Sequence, residues 1–132
     1  MYRKTQHSVY SITLHLVLVT KYRKKVLNDE ISNRIKEIFE YIGTSHGVEI
    51  IEWNHDIDHV HTILSIKPET NLNKYINAAK AASSRLIKQE YTSITKELWN
   101  GNFWTKGFYV NSTGSTQLDV VKNYIIKQGK VK

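Results

Sequence analysis

Strand-like and helix-like patterns alternate along this chain in an order that few folds accommodate. Residues 10–18 carry an apolar side chain at every second position, which predicts a strand packed against a core. Residues 31–42 then carry apolar side chains at helical spacing, behind a candidate cap at Asn28-Asp29 and ahead of Gly43 and Gly47. The chain is therefore predicted to begin with a strand and a helix.

A predicted hairpin follows the first helix. Residues 48–53 and 60–66 are β-rich runs, and the polar segment 54–58 between them favours an antiparallel turn. A second helical pattern begins at Asn71, and its predicted outer surface is basic, with Lys74, Lys80, Arg85 and Lys88. Its predicted inner face carries Leu72, Tyr75, Ile76, Ala79 and Leu86.

A last strand and a last helix complete the pattern. The strand is expected near 104–110, with Gly101 and Gly114 outside its two ends. A capping-box pattern over 116–119 then opens a helix that runs to about Gln128. The predicted order is β-α-β-β-α-β plus a C-terminal helix, which is the α+β, ferredoxin-like plan of one antiparallel sheet with two helices on one face. The last helix, a ligand or a second subunit would cover the other face.

Length and composition exclude several protein classes. The 132 residues suit one domain and are too few for two. The chain has no cysteine, which excludes thiol catalysis, disulfide frameworks and Cys-based zinc sites. It has no run of about 18 apolar residues and no signal-peptide pattern at its N-terminus, so we expect a soluble, cytosolic protein without a membrane span.

The charge is strongly basic and unevenly distributed. The formal net charge is +7, and residues 67–132 carry 11 of the 19 basic but only 4 of the 12 acidic side chains. The first half still holds a tight basic cluster at residues 21–25, with Tyr22 inside it. Such clusters suit a phosphate backbone, and a solubilising surface is the alternative interpretation.

Two histidines are predicted to share one face of a strand. His59 and His61 flank Val60 at the start of the third predicted strand, and strand side chains alternate between faces. The spacing places both imidazoles within reach of one metal ion, while Val60 points into the opposite face. Exposed strand histidines without a ligand are the simpler interpretation, so the pair alone allows a metal site without requiring one.

The last predicted helix carries a second pair of polar residues. Tyr124 and Gln128 are four residues apart and therefore lie on one helical face. Leu118 and Ile125 form a neighbouring stripe that would dock the helix. A packing aromatic and a solvated helix end would explain Tyr124 and Gln128 equally well.

Several blocks of the chain, taken in order, resemble a known family. They are Leu14-His15-Leu16-Val17, Thr20-Lys21-Tyr22-Arg23, Asp58-His59-Val60-His61, Phe103 to Val110, and Tyr124 followed by Gln128. In this order they resemble the single-tyrosine transposases of the IS200/IS605 type, which belong to the HUH endonuclease superfamily. The likeness covers nearly the whole chain. It implies a single transposase domain over 1–132, with a core at 8–111 and a tyrosine helix at 115–128.

The resemblance implies a chemistry as well as a fold. Tyr124 would attack single-stranded DNA at element ends, forming a 5′-phosphotyrosine intermediate from which strands are rejoined. His59, His61 and Gln128 would hold a divalent metal, Mg²⁺ or Mn²⁺; by ligand type alone, two imidazoles suit Mn²⁺, Zn²⁺ or Ni²⁺ equally. Asp58 would either orient His59 or close the turn, and turn closure is the preferred interpretation.

The resemblance also implies partners. The protein would be a homodimer in a prokaryotic cytoplasm, with active sites that subunits can share. Residues 111–114 of this chain would form a flexible link that permits such an exchange, and an ordinary strand-to-helix turn is the alternative interpretation of the same residues. Its substrate would be single-stranded DNA with a hairpin at the element ends. Tryptophans 53, 99 and 104 are expected to pack in the core rather than stack on bases. DNA contacts are expected from Lys21, Arg23, Lys24, Lys25, Lys80, Arg85 and Lys88.

The residues also allow other functions. Tyr124 to Lys127 satisfy the Tyr-x-x-Lys pattern of rolling-circle initiators, although 132 residues is short for those proteins. A domesticated relative that processes palindromes in a host genome is a further candidate. Outside the superfamily, the alternative is a non-catalytic binder of single-stranded nucleic acid; His59 and His61 stand where such modules carry aromatic residues, which counts against it.

Overall fold

The computed structural model describes residues 2–4, 8–94, 102–113 and 118–129. Two short 3₁₀ turns, Lys21–Arg23 and Thr92–Ile94, accompany the regular elements. The strands are β1 (Arg3–Lys4), β2 (Val9–Tyr10), β3 (Thr13–Val19), β4 (Glu49–His55), β5 (His59–Ser65) and β6 (Tyr109–Ser112), and the helices are α1 (Asp29–His46), α2 (Leu72–Glu90) and α3 (Leu118–Lys127).

The main sheet has four strands in the order β4-β5-β3-β6, and every neighbouring pair is antiparallel. The element order β3-α1-β4-β5-α2-β6-α3 and the α+β class confirm the predictions from sequence patterns. β3 and β5 are the two central strands. The predicted hairpin is β4 and β5, and its first strand extends to His55.

Two strand predictions need correction. The predicted strand 10–18 is divided, because β2 pairs with β1 in a separate ribbon and only β3 enters the main sheet. The predicted strand 104–110 lies instead at 109–112. Trp104 makes one isolated bridge to Thr20, and Gly107 then adopts a left-handed φ of 81°, which turns the chain before β6 begins. Asn111 and Ser112 therefore belong to β6 and not to a flexible link; Gly101 and residues 114–117 lie outside the described part.

The helix boundaries follow the sequence signals closely. The Asn28 side chain accepts a hydrogen bond of 2.8 Å from the amide of Ile31, and α1 ends at Gly47, whose φ is 72°. Gly43 lies inside α1 rather than at its end. It is there because a Cβ at this position would lie 2.7 Å from the carbonyl oxygen of Val48. Asn71 caps α2 in the same manner as Asn28 caps α1.

The two faces of the sheet pack against different helices. Leu16 and Leu18 of β3 join α1 and α2 in the main core. In α2 the innermost side chain of the last turns is Ile87, fully buried, rather than the predicted Leu86. Val17 and Val19, on the opposite face of β3, pack with two side chains of α3, Val121 and Ile125. Helix α3 therefore covers part of the second face, one of the three coverings expected from the sequence.

Candidate active site

The two histidines of β5 lie on the face of the sheet that α3 covers. In the β3–β5 ladder Val19 is paired with His59 and Val17 with His61, and directly paired residues project to the same face. Their imidazole centroids are 4.6 Å apart. Both rings are partly buried beside Val17 and Val19, which contact α3. His59 and His61 thus share one face of the strand, as predicted from the sequence. The pairing register shows that this is the face that α3 covers.

Asp58 fixes the ring of His59. Its Oδ1 lies 2.6 Å from Nδ1 of His59, and its Oδ2 accepts a 2.9 Å hydrogen bond from Nε of Arg23. Burial raises the pKa of Asp58, but the hydrogen bonds from His59 and Arg23 outweigh it and hold that pKa below its ordinary value. The carboxylate is therefore charged and doubly bonded. The orienting role, which sequence analysis ranked second, is the one that the contacts support.

His61 has a histidine neighbour that sequence analysis did not place in the site. Nδ1 of His61 lies 3.4 Å from Nε2 of His15, and the two rings are stacked with centroids 5.6 Å apart. Burial, with smaller contributions from the charges of His59 and His15, lowers the pKa of His61 to about 4. His61 is therefore neutral at physiological pH, as a metal ligand must be. The sequence signal for His15 was its position two residues before Val17 on the same strand face.

Tyr124 lies on the inner side of α3. Its ring is 5.9 Å from that of Tyr109, which is paired with Val17 across β3 and β6. The hydroxyl oxygen is buried, and no hydrogen-bond partner for it is found among the described residues. Burial raises the pKa of Tyr124 above its ordinary value. In this arrangement the phenol is held away from water and is not activated.

Gln128, just beyond the end of α3, is bonded to the segment next to His59. Its Oε1 accepts a 2.8 Å hydrogen bond from the Thr105 hydroxyl, and its Nε2 donates to the carbonyl of Tyr124. The amide of Thr105 in turn donates to the carbonyl of Val19, which is the cross-strand partner of His59. Thr105 thus links Gln128, the predicted third ligand, to β3, the strand beside the histidine pair.

The chemistry of these donors fits a divalent cation. His59 and His61 both use Nδ1 within the protein, which leaves Nε2 of each ring for a ligand. The amide oxygen of Gln128 accepts one hydrogen bond and retains a second lone pair. Within the described residues there is no group of three or more His, Cys, Asp or Glu that could hold a metal, and the Gln128 amide is a donor of another kind.

The predicted DNA-contacting residues fall into two groups. Lys25 and Arg85 are exposed, and Lys21, Lys24 and Lys88 are partly exposed. Arg23 and Lys80 are engaged within the protein. Arg23 is paired with Asp58, and Nζ of Lys80 donates to the carbonyls of Thr105 and Gly107 at 3.0 and 2.7 Å. The prediction that Lys80 belongs to the outer surface of α2 is therefore wrong, because its ammonium group reaches the turn before β6.

An open cleft lies beside this turn. It has a volume of about 460 Å³ and brings together Lys21, Lys80 and Lys106 with Thr105, the hydrogen-bond partner of Gln128. Trp104 lines the cleft, but its indole is buried and donates to the Ser83 hydroxyl. Trp53 likewise packs against the core. The prediction that these tryptophans are core residues is confirmed for both; Trp99 lies outside the described residues.

Comparison with known proteins assigns the family. Residues 8–128 match the family model described as IS200-like transposase. The chain belongs to this family. It is 30% identical over 126 residues to the ISDra2 transposase TnpA of Deinococcus radiodurans, covering 96% of this chain and 90% of that protein. It is 25% identical over 122 residues to the IS200 transposase of Salmonella typhimurium, covering 92% and 80%.

Solved structures give the same fold. A crystal structure described as a transposase from Deinococcus radiodurans R1 superposes with a TM-score of 0.83 at 28% identity, covering 98% of this transposase and 99% of that chain. A tyrosine transposase bound to a REP hairpin superposes with a TM-score of 0.59 at 13% identity, covering 99% and 76%. In the described part of this transposase, no helix is long and apolar enough to cross a membrane.

Proposed function

We propose that this transposase cuts and rejoins single-stranded DNA at element ends, with Tyr124 as nucleophile. The observation that carries the proposal is the shared face of the sheet. His59 and His61 project from β5 to the side that α3 covers, and α3 brings Tyr124 and Gln128 to that side. The proposed nucleophile and the three proposed metal donors therefore come from β5 and from the chain segment of α3 and Gln128, and α3 packs on β3, the strand beside β5.

The proposed reaction is a transesterification. The Tyr124 oxygen attacks the scissile phosphorus, the new bond joins tyrosine to a 5′-phosphate, and the bond to the 3′ oxygen breaks. The phenol loses its proton as it attacks, and the departing 3′ oxygen takes up a proton from solvent. The phosphotyrosine bond conserves the energy of the phosphodiester. A later 3′-hydroxyl can therefore attack it and rejoin the strands without ATP.

We propose Mg²⁺ or Mn²⁺ as the cofactor, held by His59, His61 and Gln128. Such a cation, when bound, supplies Lewis-acid stabilisation of the charge that develops on the phosphate. The neutral His61 ring, the Asp58-oriented His59 ring and the Gln128 amide would carry no compensating ligand charge. This arrangement leaves the scissile phosphate as the main anionic partner. Asp58 contributes from the far side of His59, where it keeps Nε2 directed away from itself.

A homodimer is part of the proposal. The Tyr124 hydroxyl is buried and has no hydrogen-bond partner among the described residues, so its surroundings must open before the phenol can reach a phosphate. Among the α3 side chains that the structure describes, Val121 and Ile125 are the buried apolar ones, while Val120 and Ile126 are 45% and 56% exposed. A second copy of the chain that covers these side chains would both stabilise α3 and allow it to serve either subunit.

The proposed substrate is single-stranded DNA that carries a hairpin. The structural neighbour with a TM-score of 0.59 is bound to a REP hairpin, which supports the same class of ligand here. Lys21 and Lys106 line the cleft together with Thr105, and the Thr105 hydroxyl donates to the proposed ligand Gln128. Lysine ammonium groups in such a cleft suit a phosphate backbone. Lys24, Lys25, Arg85 and Lys88 are proposed as further contacts.

The decisive experiment measures a covalent protein–DNA adduct. End-labelled single strands from the DNA that flanks the gene are incubated with the protein and Mg²⁺, with Mn²⁺, or with chelator. Denaturing electrophoresis then detects label that stays on the protein. We expect a metal-dependent adduct that Tyr124→Phe abolishes and that Tyr109→Phe, the matched change on the neighbouring ring, retains.

Hairpin binding separates the possible failures. Tyr124→Phe is expected to bind a flanking hairpin as tightly as the unmodified protein, because the hydroxyl has no hydrogen-bond partner among the described residues. His61→Ala is expected to lose metal-dependent cleavage with an unchanged circular-dichroism spectrum. Wild-type cleavage by Tyr124→Phe would remove that residue from its role. Tight hairpin binding without an adduct on any strand would favour a non-catalytic binding protein.

A further inference from the structure

We propose that Arg23 and Lys80 are positioning residues for the two sides of the metal site, rather than contacts to the DNA backbone. The inference rests on the metal site proposed above. Both side chains were predicted from sequence to bind phosphate. In the structure each is connected to a proposed metal ligand through one intervening residue. Arg23 is connected to His59 through Asp58, and Lys80 is connected to Gln128 through Thr105. The basic residues would therefore fix ligand geometry from opposite ends.

Arg23 acts through a buried carboxylate. The Asp58 side chain is only 6% exposed, and Arg23 and His59 hold its two oxygens. If Arg23 turned outward to a phosphate, Asp58 would keep one partner and remain buried. Breaking one side of a buried ion pair is costly because the remaining charge is left uncompensated. The pairing with Asp58 is therefore the position that the surroundings favour.

The backbone holds Arg23 in place. Tyr22 and Arg23 both have left-handed φ angles, 56° and 54°, which non-glycine residues adopt rarely and mostly where surrounding contacts enforce it. The amide of Lys21 donates to the carbonyl of Phe103, and the amide of Arg23 donates to that of Thr20. A surface residue selected only for its charge would not need this conformation.

Thr20 extends the same connection to Asp58. Its amide and its hydroxyl both lie 3.0 Å from the Asp58 carbonyl oxygen. The turn that carries Arg23 and the turn that carries Asp58 are thus joined through the backbone as well as through the ion pair. Their relative position is fixed before any ligand arrives.

The stem of Arg23 also contacts the end of the tyrosine helix. A Cβ at Gly129 would lie 2.9 Å from Cδ of Arg23 and 3.6 Å from Cγ, so the glycine allows the stem to pass against the chain there. Gly129 directly follows Gln128. Arg23 therefore touches the His59 side of the site through Asp58 and the Gln128 side through this packing.

Lys80 holds the second side. Its ammonium group donates to the carbonyls of Thr105 and Gly107, which fixes the turn before β6. Thr105 then donates its hydroxyl to Oε1 of Gln128. Burial lowers the pKa of Lys80, in agreement with an ammonium group withdrawn from solvent. Without these two hydrogen bonds, the turn that carries the Thr105 hydroxyl would be held less firmly against α2.

The test measures DNA binding and metal binding separately. Arg23→Met and Lys80→Met keep the stems and remove the donors, and Lys25→Met and Arg85→Met are matched changes at exposed basic residues. Affinity for a hairpin oligonucleotide from the flanking DNA is measured across a range of salt concentrations. Mn²⁺ affinity of the DNA-free protein is measured from the electron paramagnetic resonance signal of free Mn²⁺, and thermal unfolding confirms that each variant is folded.

We expect Arg23→Met and Lys80→Met to weaken Mn²⁺ binding by about tenfold, the lower end of the effect of outer-shell partners on metal affinity. The slope of log Kd against log salt should stay at the wild-type value, because no phosphate contact is lost. Arg23→Lys, which restores a donor to Asp58, should regain part of the Mn²⁺ affinity. Gly129→Ala, which displaces the Arg23 stem without removing charge, should weaken Mn²⁺ binding in the same direction.

Two outcomes would overturn the inference, and they differ. If either Met variant lowered the salt slope by about 0.7–0.9, the loss of one phosphate contact, and bound Mn²⁺ normally, that residue would be a DNA contact and the metal site would stand. If the wild-type protein bound the hairpin but no Mn²⁺, the metal site itself would fail, and this inference with it. If Arg23→Met does not fold, it is replaced by Arg23→Lys or Gly129→Ala, which keep the charge of the ion pair. If Lys80→Met does not fold, it is replaced by Thr105→Val, which removes the hydroxyl that Lys80 is proposed to position and should weaken Mn²⁺ binding in the same direction.

Discussion

Oδ1 of Asp58 lies 2.6 Å from Nδ1 of His59, so the carboxylate determines which ring nitrogen of that histidine is available to a ligand. Nδ1 of His59 is occupied by this contact, which leaves Nε2 as the ring nitrogen that faces away from Asp58. Carboxylates behind metal-binding histidines commonly have this function. The contact connects the turn at 56–58 with the chemistry of the site.

Asp58→Asn is expected to weaken Mn²⁺ binding and adduct formation by about 10–100-fold, because a neutral amide holds the His59 tautomer less strongly. The measurements are the free Mn²⁺ signal and the yield of covalent adduct. Asp56→Asn is the matched control in the same turn, where the side chain accepts from the amide of Ile57. Equal effects of the two changes would show that Asp58 acts on the turn alone.

His15 is expected to do for His61 what Asp58 does for His59, though more weakly. For Nε2 of His61 to bind a metal, its Nδ1 must carry the proton and donate to Nε2 of His15, 3.4 Å away. His15→Leu removes this acceptor and should lower Mn²⁺ affinity by up to about tenfold. His15→Gln supplies an amide oxygen and should restore part of it. Identical Mn²⁺ affinity of His15→Leu and the wild-type protein would limit His15 to packing.

The docking of α3 is expected to depend on Ile125. This side chain is 7% exposed and packs with Val17, Val19 and Val121 in a cluster separate from the main core. Ile125→Ala should reduce stability by about 2 kcal/mol, the low end for such truncations because the cluster is small. Chemical denaturation gives the free energy, and hydrogen exchange shows whether the loss is confined to α3.

An exposed isoleucine provides the control for Ile125. Ile51 on β4 is 42% exposed, so Ile51→Ala should reduce the stability of the protein by no more than about 0.5 kcal/mol. If Ile125→Ala and Ile51→Ala unfold at the same denaturant concentration, α3 does not contribute to the stability of the domain through this cluster.

Gly43 provides a test of close packing between α1 and β4. Changing a glycine inside a helix to alanine normally stabilises a protein by about 0.4–1 kcal/mol, because the unfolded chain then has less conformational entropy to lose on folding. Here the new Cβ would lie 2.7 Å from the Val48 carbonyl oxygen, so Gly43→Ala should instead destabilise the protein by about 1–3 kcal/mol. Asn33→Ala, at an exposed position of the same helix, should be neutral or stabilising. A stabilised Gly43→Ala protein would contradict the packing described here.

Local patterns predicted most of the regular structure because their causes are local. Asn28 and Asn71 cap helices through their own side chains, and Gly47 ends α1 through its own backbone angle. The predicted strand at 104–110 was wrong for a non-local reason. Trp104 is held by a bridge to Thr20 and by Ser83, contacts that no periodicity in its own segment records.

The sequence by itself determined the element order, the shared strand face of His59 and His61, the helical pairing of Tyr124 with Gln128, and the family. The first three follow from spacing along one segment or from the order of segments, and the family follows from the resemblance of several sequence blocks. Only the tertiary structure decided which side chains from other segments contact these site residues. The register of β3 on β5 brings His15 to His61. Contacts between turns distant in sequence direct Arg23 to Asp58 and Lys80 to Thr105. Periodicity specifies which side of its own strand or helix a side chain occupies, whereas its partner depends on how separate segments pack.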